Sequence, residues 1–123
     1  MTRFRQAPLS GITMVLLLCF ALAAAPSAAQ EEVPAGQTAL VDNKCNMCHP
    51  VQAAGIERTS KSDKMKGSDL STVGDDHDAA WIVEFIKKEV ELDGEPHKRS
   101  YKGTDEDLEA IAAWLATLKT PAD

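Results

Sequence analysis

The chain has 123 residues, of which 13 are Lys or Arg and 19 are Asp or Glu, so its formal net charge at pH 7 is −6. A length of this order predicts one small domain. The acidic balance argues against nucleic acid as a partner.

The first 29 residues are predicted to be a cleaved signal peptide. They contain Arg3 and Arg5 near the start, an almost wholly apolar run from Gly11 to Ala25, and small residues up to Ala29, where we expect cleavage. The apolar run is shorter than the roughly 20 residues that span a bilayer, which disfavours a retained anchor. We therefore expect an exported protein, periplasmic or in an equivalent space, with no transmembrane segment in residues 30–123.

Removal of the signal peptide would change both the charge and the cysteine content of the chain. The removed part holds two of the 13 basic residues and none of the 19 acidic ones, which leaves a net charge of −8 for residues 30–123. Two cysteines remain, and both lie in one pentapeptide, Cys45-Asn46-Met47-Cys48-His49. No framework of several disulfides is therefore possible in the exported part.

The pentapeptide has the C-x-x-C-H pattern that is typical of c-type haem attachment. Two thiols at this spacing lie on one helical turn and can each add to a vinyl group of the same porphyrin. The adjacent imidazole then supplies the proximal ligand that haem iron requires. We interpret Cys45 and Cys48 as covalent anchors of one haem c and His49 as an iron ligand. A small domain also gains a core from the haem.

Three alternatives exist for the same pentapeptide. A thioredoxin-like redox motif would need a neighbouring strand, helix and strand, and no such pattern surrounds it. A structural zinc site would need four Cys or His ligands at paired spacings, but only the isolated His77 and His97 are available beyond the motif. A simple disulfide between Cys45 and Cys48 is the third alternative, because exported proteins can oxidise their thiols.

The remaining pattern predicts helices and loops. A first helix runs from Ala35 to Lys44 into the pentapeptide, and the polar residues 50–70 predict a long loop. Apolar positions at helical spacing predict a second helix over Ala79–Val90. A second loop then leads to Thr104, which resembles a helix N-cap, and the last helix is expected to end near Lys119. No strand pattern appears, so the predicted fold class is all-α.

Taken in order, these segments resemble the small single-haem cytochromes c of class I. The resemblance covers essentially all of residues 30–123, and only the pentapeptide is highly specific by itself. The matching segments are Cys45–His49, Gly67-Ser68-Asp69-Leu70, Trp81, Tyr101-Lys102-Gly103-Thr104 and Trp114-Leu115-Ala116-Thr117-Leu118. The resemblance implies a cytochrome c-like fold, with three to four main helices around one covalently bound haem, in which the first and last helices cross.

Two departures from the family pattern affect the packing. Ser68 replaces a proline whose carbonyl steadies the proximal imidazole, although the serine carbonyl can still accept that hydrogen bond. The glycine of the helix crossing is expected at position 37, where this chain has Gln37 with Gly36 beside it. The crossing is also expected to bring Val41 near Trp114.

The third departure concerns the sixth iron ligand. The loop in which the family places a methionine contains none, and His97 is its sole soft or nitrogen ligand. His97 is therefore the favoured distal ligand, which predicts a lower reduction potential than a His/Met pair gives. Met65 is the second candidate, in the proximal loop, and His77 is a third. An iron without a protein ligand on this side is the remaining alternative.

These observations predict an electron carrier rather than an enzyme. Its partners would be redox proteins of a respiratory chain or a periplasmic dehydrogenase or oxidase. The alternative is a haem protein with an open or displaceable distal site, suited to gas binding or peroxide chemistry. Basic residues in the two loops would border the haem and favour an acidic partner; they are Arg58, Lys61, Lys64, Lys66, Lys98, Arg99 and Lys102.

Overall fold

The computed structural model describes residues 31–123, and the predicted signal peptide lies outside the described residues. Three α-helices occur in this part: α1 (Ala35–Asp42), α2 (Ala79–Ile86) and α3 (Asp105–Leu115). One-turn 3-10 helices lie between α1 and α2, at Cys45–Met47, Gln52–Ala54, Asp63–Met65 and Val73–Asp75. Residues 31–123 contain no β-strand, only the isolated bridges Val51–Ile56 and Leu92–Glu95. The all-α fold is confirmed.

Side-chain caps start two of the helices. The Asp78 carboxylate accepts from Trp81 N at 2.8 Å at the start of α2, and Thr104 Oγ1 accepts from Asp107 N at 3.1 Å at the start of α3. Such caps satisfy amides that lack a partner within the helix. The Asp107 carboxylate accepts from Asn43 Nδ2 at 3.2 Å. This hydrogen bond joins α3 to the residue that follows α1, two positions before the pentapeptide.

Each helix ends earlier than the sequence pattern predicts. α1 ends at Asp42 rather than Lys44, because Lys44 adopts a left-handed conformation with φ 59°. α2 ends at Ile86, since Lys88 has φ 66° and cannot continue a right-handed helix. α3 ends at Leu115 rather than near Lys119, because Ala116 and Thr117 form a turn, and the Leu118 carbonyl then accepts from Gly74 N at 2.8 Å.

The crossing of α1 and α3 depends on Gly36. A Cβ at this position would lie 2.2 Å from the Ala110 carbonyl oxygen and 2.4 Å from Trp114 Cβ, so only glycine lets the two backbones approach this closely. Gly36, not Gln37, is therefore the crossing residue. Gly36 is also the α1 residue found against Trp114, whereas Val41 is 41% exposed.

All three helices contribute to one hydrophobic core. Its buried members also include two residues from the loop that follows the pentapeptide. The buried members of this core are Ala39, Leu40, Val51, Ile56, Ile82, Ile111, Ala112 and Leu115. The chain on both sides of the pentapeptide is thus anchored in the core, which holds the pentapeptide in place. No helix within residues 31–123 is both long enough and apolar enough to cross a membrane.

Candidate haem site

The pentapeptide forms a tight turn directly after α1. The amides of Cys48 and His49 both donate to the Cys45 carbonyl, at 3.2 and 3.0 Å. The thiols of Cys45 and Cys48 are free and half-buried, so neither is used in a disulfide. Burial, with a smaller contribution from Cys48, raises the pKa of the Cys45 thiol. The two sulfurs are available on one turn, as covalent attachment requires.

The His49 imidazole is held by the loop that follows the pentapeptide. Its Nδ1 lies 2.8 Å from the Ser68 carbonyl oxygen. A carbonyl only accepts, so Nδ1 must carry the proton and Nε2 must present the lone pair. The hydrogen bond expected from Ser68 despite the missing proline is thus formed.

The surroundings of His49 also favour its neutral form. Desolvation by burial is the main cause that lowers the pKa of His49, and the nearby His97 acts in the same direction, while the Ser68 carbonyl opposes both. Neutral imidazole is the form that binds a metal ion. Hydrogen bonding and burial therefore both prepare Nε2 of His49 as an iron ligand.

Gly67 packs directly against the ring of His49. A Cβ at position 67 would lie 2.4 Å from His49 Cε1 and 2.5 Å from Nδ1. The backbone of Gly67 is fixed in this position because its amide donates to the Cys48 carbonyl at 2.9 Å. The glycine of the Gly-x-x-Leu segment therefore makes room for the imidazole, a role that sequence reasoning did not assign to it.

His97 lies close to His49. The two ring centroids are 6.2 Å apart, and the ring planes differ by 24°. The Nδ1 of His97 is 2.7 Å from the Arg99 carbonyl oxygen and donates to it, so Nε2 of this imidazole carries the free lone pair.

The separation of the two rings can be compared with a metal bound by both. A metal–imidazole bond is about 2 Å long. With ring bonds near the usual C–N length of about 1.3–1.4 Å, a ring nitrogen lies about 1.1 Å from the centroid. Two imidazoles on one iron therefore have centroids roughly 6 Å apart. The donor atoms and spacing of His49 and His97 fit an iron between them.

The other ligand candidates have different partners. The Met65 sulfur accepts from Ser60 Oγ at 3.6 Å, in the loop on the His49 side. His77 stacks on Trp81 with ring centroids 3.6 Å apart. Across residues 31–123, no group of three or more His, Cys, Asp or Glu side chains could hold a metal ion, so the ligand set of a structural zinc site is missing from this part of the chain.

Two contacts near His97 were not predicted from the sequence. Phe85 meets the His97 ring edge-on, with centroids 5.4 Å apart and planes at 81°. Arg99 Nη1 donates to the Met47 sulfur at 3.7 Å, which connects the His97 loop with the pentapeptide. Phe85 could have been noticed from its position four residues after Trp81, one helical turn along the same face. No sequence signal indicates the Arg99 contact.

Together, an all-α fold, two free thiols at C-x-x-C-H spacing and a neutral imidazole beside them define a c-type cytochrome domain. The family model described as cytochrome C oxidase, cbb3-type, subunit III matches residues 32–115. The chain belongs to this family. No curated protein matches the chain, and no solved structure does.

Family membership confirms the resemblance to class I c-type cytochromes and the predicted cofactor. The domain carries a covalently bound haem c, whose iron supplies reversible one-electron chemistry. Cys45, Cys48 and His49 are the residues whose pattern and geometry fit its attachment. The domain thus serves haem-based electron transfer.

Proposed function

We propose that this chain is an exported single-haem electron carrier, not an enzyme, with His49 and His97 as the two axial ligands of its iron. The observation that carries this proposal is the pair of imidazoles whose ring centroids lie 6.2 Å apart, each with Nδ1 hydrogen-bonded to a backbone carbonyl. Export is supported by the predicted signal peptide in residues 1–29 and by the thiol-attached haem.

Each residue has a distinct part in this proposal. Cys45 and Cys48 would hold the haem covalently, and His49 and His97 would bind its iron. An iron held by both imidazoles would gain or lose an electron with little rearrangement of its ligands. Two imidazoles also give a lower reduction potential than an imidazole with a methionine. The proposed carrier therefore has a lower reduction potential, and its iron has no free position at which a substrate could bind.

The axial pair is tested by spectroscopy of the oxidised protein. Near-infrared magnetic circular dichroism and electron paramagnetic resonance should give a bis-histidine, low-spin signature. A His/Met signature would refute His97 as the ligand and favour Met65. A predominantly high-spin spectrum would instead favour the open-site alternative.

Carbon monoxide separates the carrier from a gas-binding or peroxide-active protein. The reduced protein should resist carbon monoxide, because both axial positions are occupied. His97→Ala should bind it readily, whereas the matched variant His77→Ala should behave like the parent protein. Rapid binding of carbon monoxide by the parent protein would contradict the proposed carrier function.

We infer that the partners are redox proteins with an acidic docking surface. Both basic loops contact the pentapeptide: the amides of Thr59 and Ser60 donate to the carbonyls of Asn46 and Met47, and Arg99 reaches the Met47 sulfur. The two loops that contact the haem-binding turn thus carry the exposed lysines Lys61, Lys64, Lys66, Lys98 and Lys102. The family description suggests a cytochrome c oxidase of cbb3 type as the assembly that contains such a partner.

Small redox ions test this basic surface without knowledge of the partner. Lys64→Glu should slow oxidation of the reduced protein by anionic ferricyanide and accelerate oxidation by a cationic cobalt phenanthroline complex, most strongly at low salt. Lys119→Glu changes the net charge equally but lies after α3, and it should have the smaller effect on both rates. Equal effects of the two variants would reject the loops as a docking surface.

A further inference from the structure

Three aromatic side chains form a column along one side of α2. His77 stacks on Trp81 with centroids 3.6 Å apart and planes within 13°, and Trp81 stacks on Phe85 at 4.9 Å and 15°. Trp81 and Phe85 lie one helical turn apart on α2, and His77 comes just before Asp78, the cap residue of that helix. The column ends at His97, where the Phe85 ring meets the imidazole edge-on at 5.4 Å and 81°.

The column stands on a rigid part of the fold, whereas His97 does not. α2 is capped by Asp78 and anchored in the core by Ile82, which is 4% exposed. His97 lies outside the α-helices and 3-10 helices, between exposed residues, and its own hydrogen bond goes to Arg99, two residues further along the same loop. A bond within the loop fixes the tautomer of the imidazole. It does not fix the ring relative to the rest of the domain.

Phe85 supplies a direct contact between the His97 ring and α2. Edge-to-face packing at a separation within about 4.5–7 Å is a favoured aromatic arrangement, and it depends on the relative angle of the two rings. Because Phe85 is itself stacked on Trp81, its plane is set by α2. An imidazole packed at 81° to that plane is thereby restricted in its own orientation.

We propose that Phe85 is a positioning residue that sets the plane of the His97 imidazole and holds it within 24° of the His49 plane. This inference rests on the proposed function, since it matters only if both imidazoles bind the iron. Two nearly parallel imidazoles donate π-electrons to the same iron d orbital and split the d levels. Perpendicular imidazoles donate to different orbitals and leave these levels close in energy.

Electron paramagnetic resonance of the oxidised protein measures this splitting of the iron d levels. The parent protein should give a rhombic low-spin signal with three resolved g values, as nearly parallel ligands require. Phe85→Leu should shift the largest g value upward and broaden the signal, because the imidazole is free to rotate. The near-infrared bis-histidine band should remain, since the ligands themselves are unchanged. Phe85→Ile serves as a second aliphatic variant if the leucine variant does not fold.

Two matched variants separate positioning from stability. Phe85→Tyr keeps the ring and should retain the parent g values. Val83→Ala, on the same helix but outside the column, should lower stability without moving them. Parent-like g values in the aliphatic Phe85 variants would overturn the positioning role while leaving the bis-histidine pair intact. A His/Met band in the parent protein would overturn the ligand pair and this inference with it.

Discussion

Replacement of Gly36 by alanine tests the helix crossing that supports the haem-binding turn. In most helix positions this change is favourable by up to about 1 kcal/mol, because alanine has the higher helix propensity. Here the new methyl group would lie 2.2 Å from the Ala110 carbonyl oxygen and 2.4 Å from Trp114 Cβ, at least 1 Å short of ordinary contact. Both neighbours are backbone or backbone-linked atoms, so neither can rotate away.

The expected size of the effect follows from two opposing contributions. Overpacking of this kind costs about 1–3 kcal/mol. Because the clashes are with backbone or backbone-linked atoms, we place the cost in the upper part of this range. After the gain in helix propensity, we expect Gly36→Ala to lower the free energy of unfolding by about 1–2 kcal/mol. For a domain of this size, that corresponds to a fall in Tm of roughly 4–16 °C.

Urea unfolding of the haem-bound protein, followed by far-ultraviolet circular dichroism, measures this change. Thr38→Ala is the matched control, since Thr38 is exposed on the same helix and its loss should alter stability by less than about 0.5 kcal/mol. An unchanged or increased stability of Gly36→Ala would refute the argument that α1 and α3 make their close contact at this residue.

Three further changes test the proximal loop and the start of α3. Gly67→Ala should displace the His49 ring, because the added methyl group would overlap it, and should produce a high-spin fraction in the visible spectrum. Asp69 accepts from the hydroxyl and amide of Ser71, which lowers the pKa of this carboxyl from its ordinary value. Its small contribution to stability is therefore present above about pH 4 and is lost as the pH falls through the lowered pKa; Asp69→Asn should remove that part of the acid dependence. Thr104→Ala should cost about 1 kcal/mol in urea unfolding through loss of the α3 cap.

Each of these three predictions has its own control. Ser68→Ala keeps the backbone carbonyl that His49 uses, and its spectrum should stay low-spin; a parent-like spectrum of Gly67→Ala would contradict the steric argument. Ser71→Ala removes the hydroxyl that donates to Asp69 and should reduce the same acid dependence, and an unchanged acid dependence in this variant would exclude a specific role for the Ser71 contacts. Thr104→Ser keeps a capping hydroxyl and should retain most of the stability that the alanine variant loses.

The sequence predicted the features that rest on local pattern. The starts of α2 and α3 were readable because Asp78 and Thr104 are capping residues followed by apolar positions at helical spacing. The pentapeptide identified the cofactor because its chemistry requires that spacing of thiols and imidazole. The absence of methionine from the second loop indicated His97 as the favoured distal ligand.

Features that depend on tertiary contacts could not be predicted from local sequence pattern. The helix ends were placed too late because apolar residues such as Val90 and Leu118 continue the helical pattern although the backbone has already turned. The crossing residue depends on how closely Ala110 approaches α1, which no local pattern contains. Phe85 and Arg99 join the site only because the fold brings α2 and the pentapeptide to the His97 loop.

The acceptors that fix the two imidazoles belong to the main chain. Every amino acid at position 68 carries the carbonyl that Ser68 offers to His49, and the same holds for Arg99 and His97. In a saturation library, position 68 should therefore score as tolerant although it controls which nitrogen of His49 is free. Mutational tolerance would be a poor guide to importance here, since the functional group is supplied by the course of the loop rather than by the side chain.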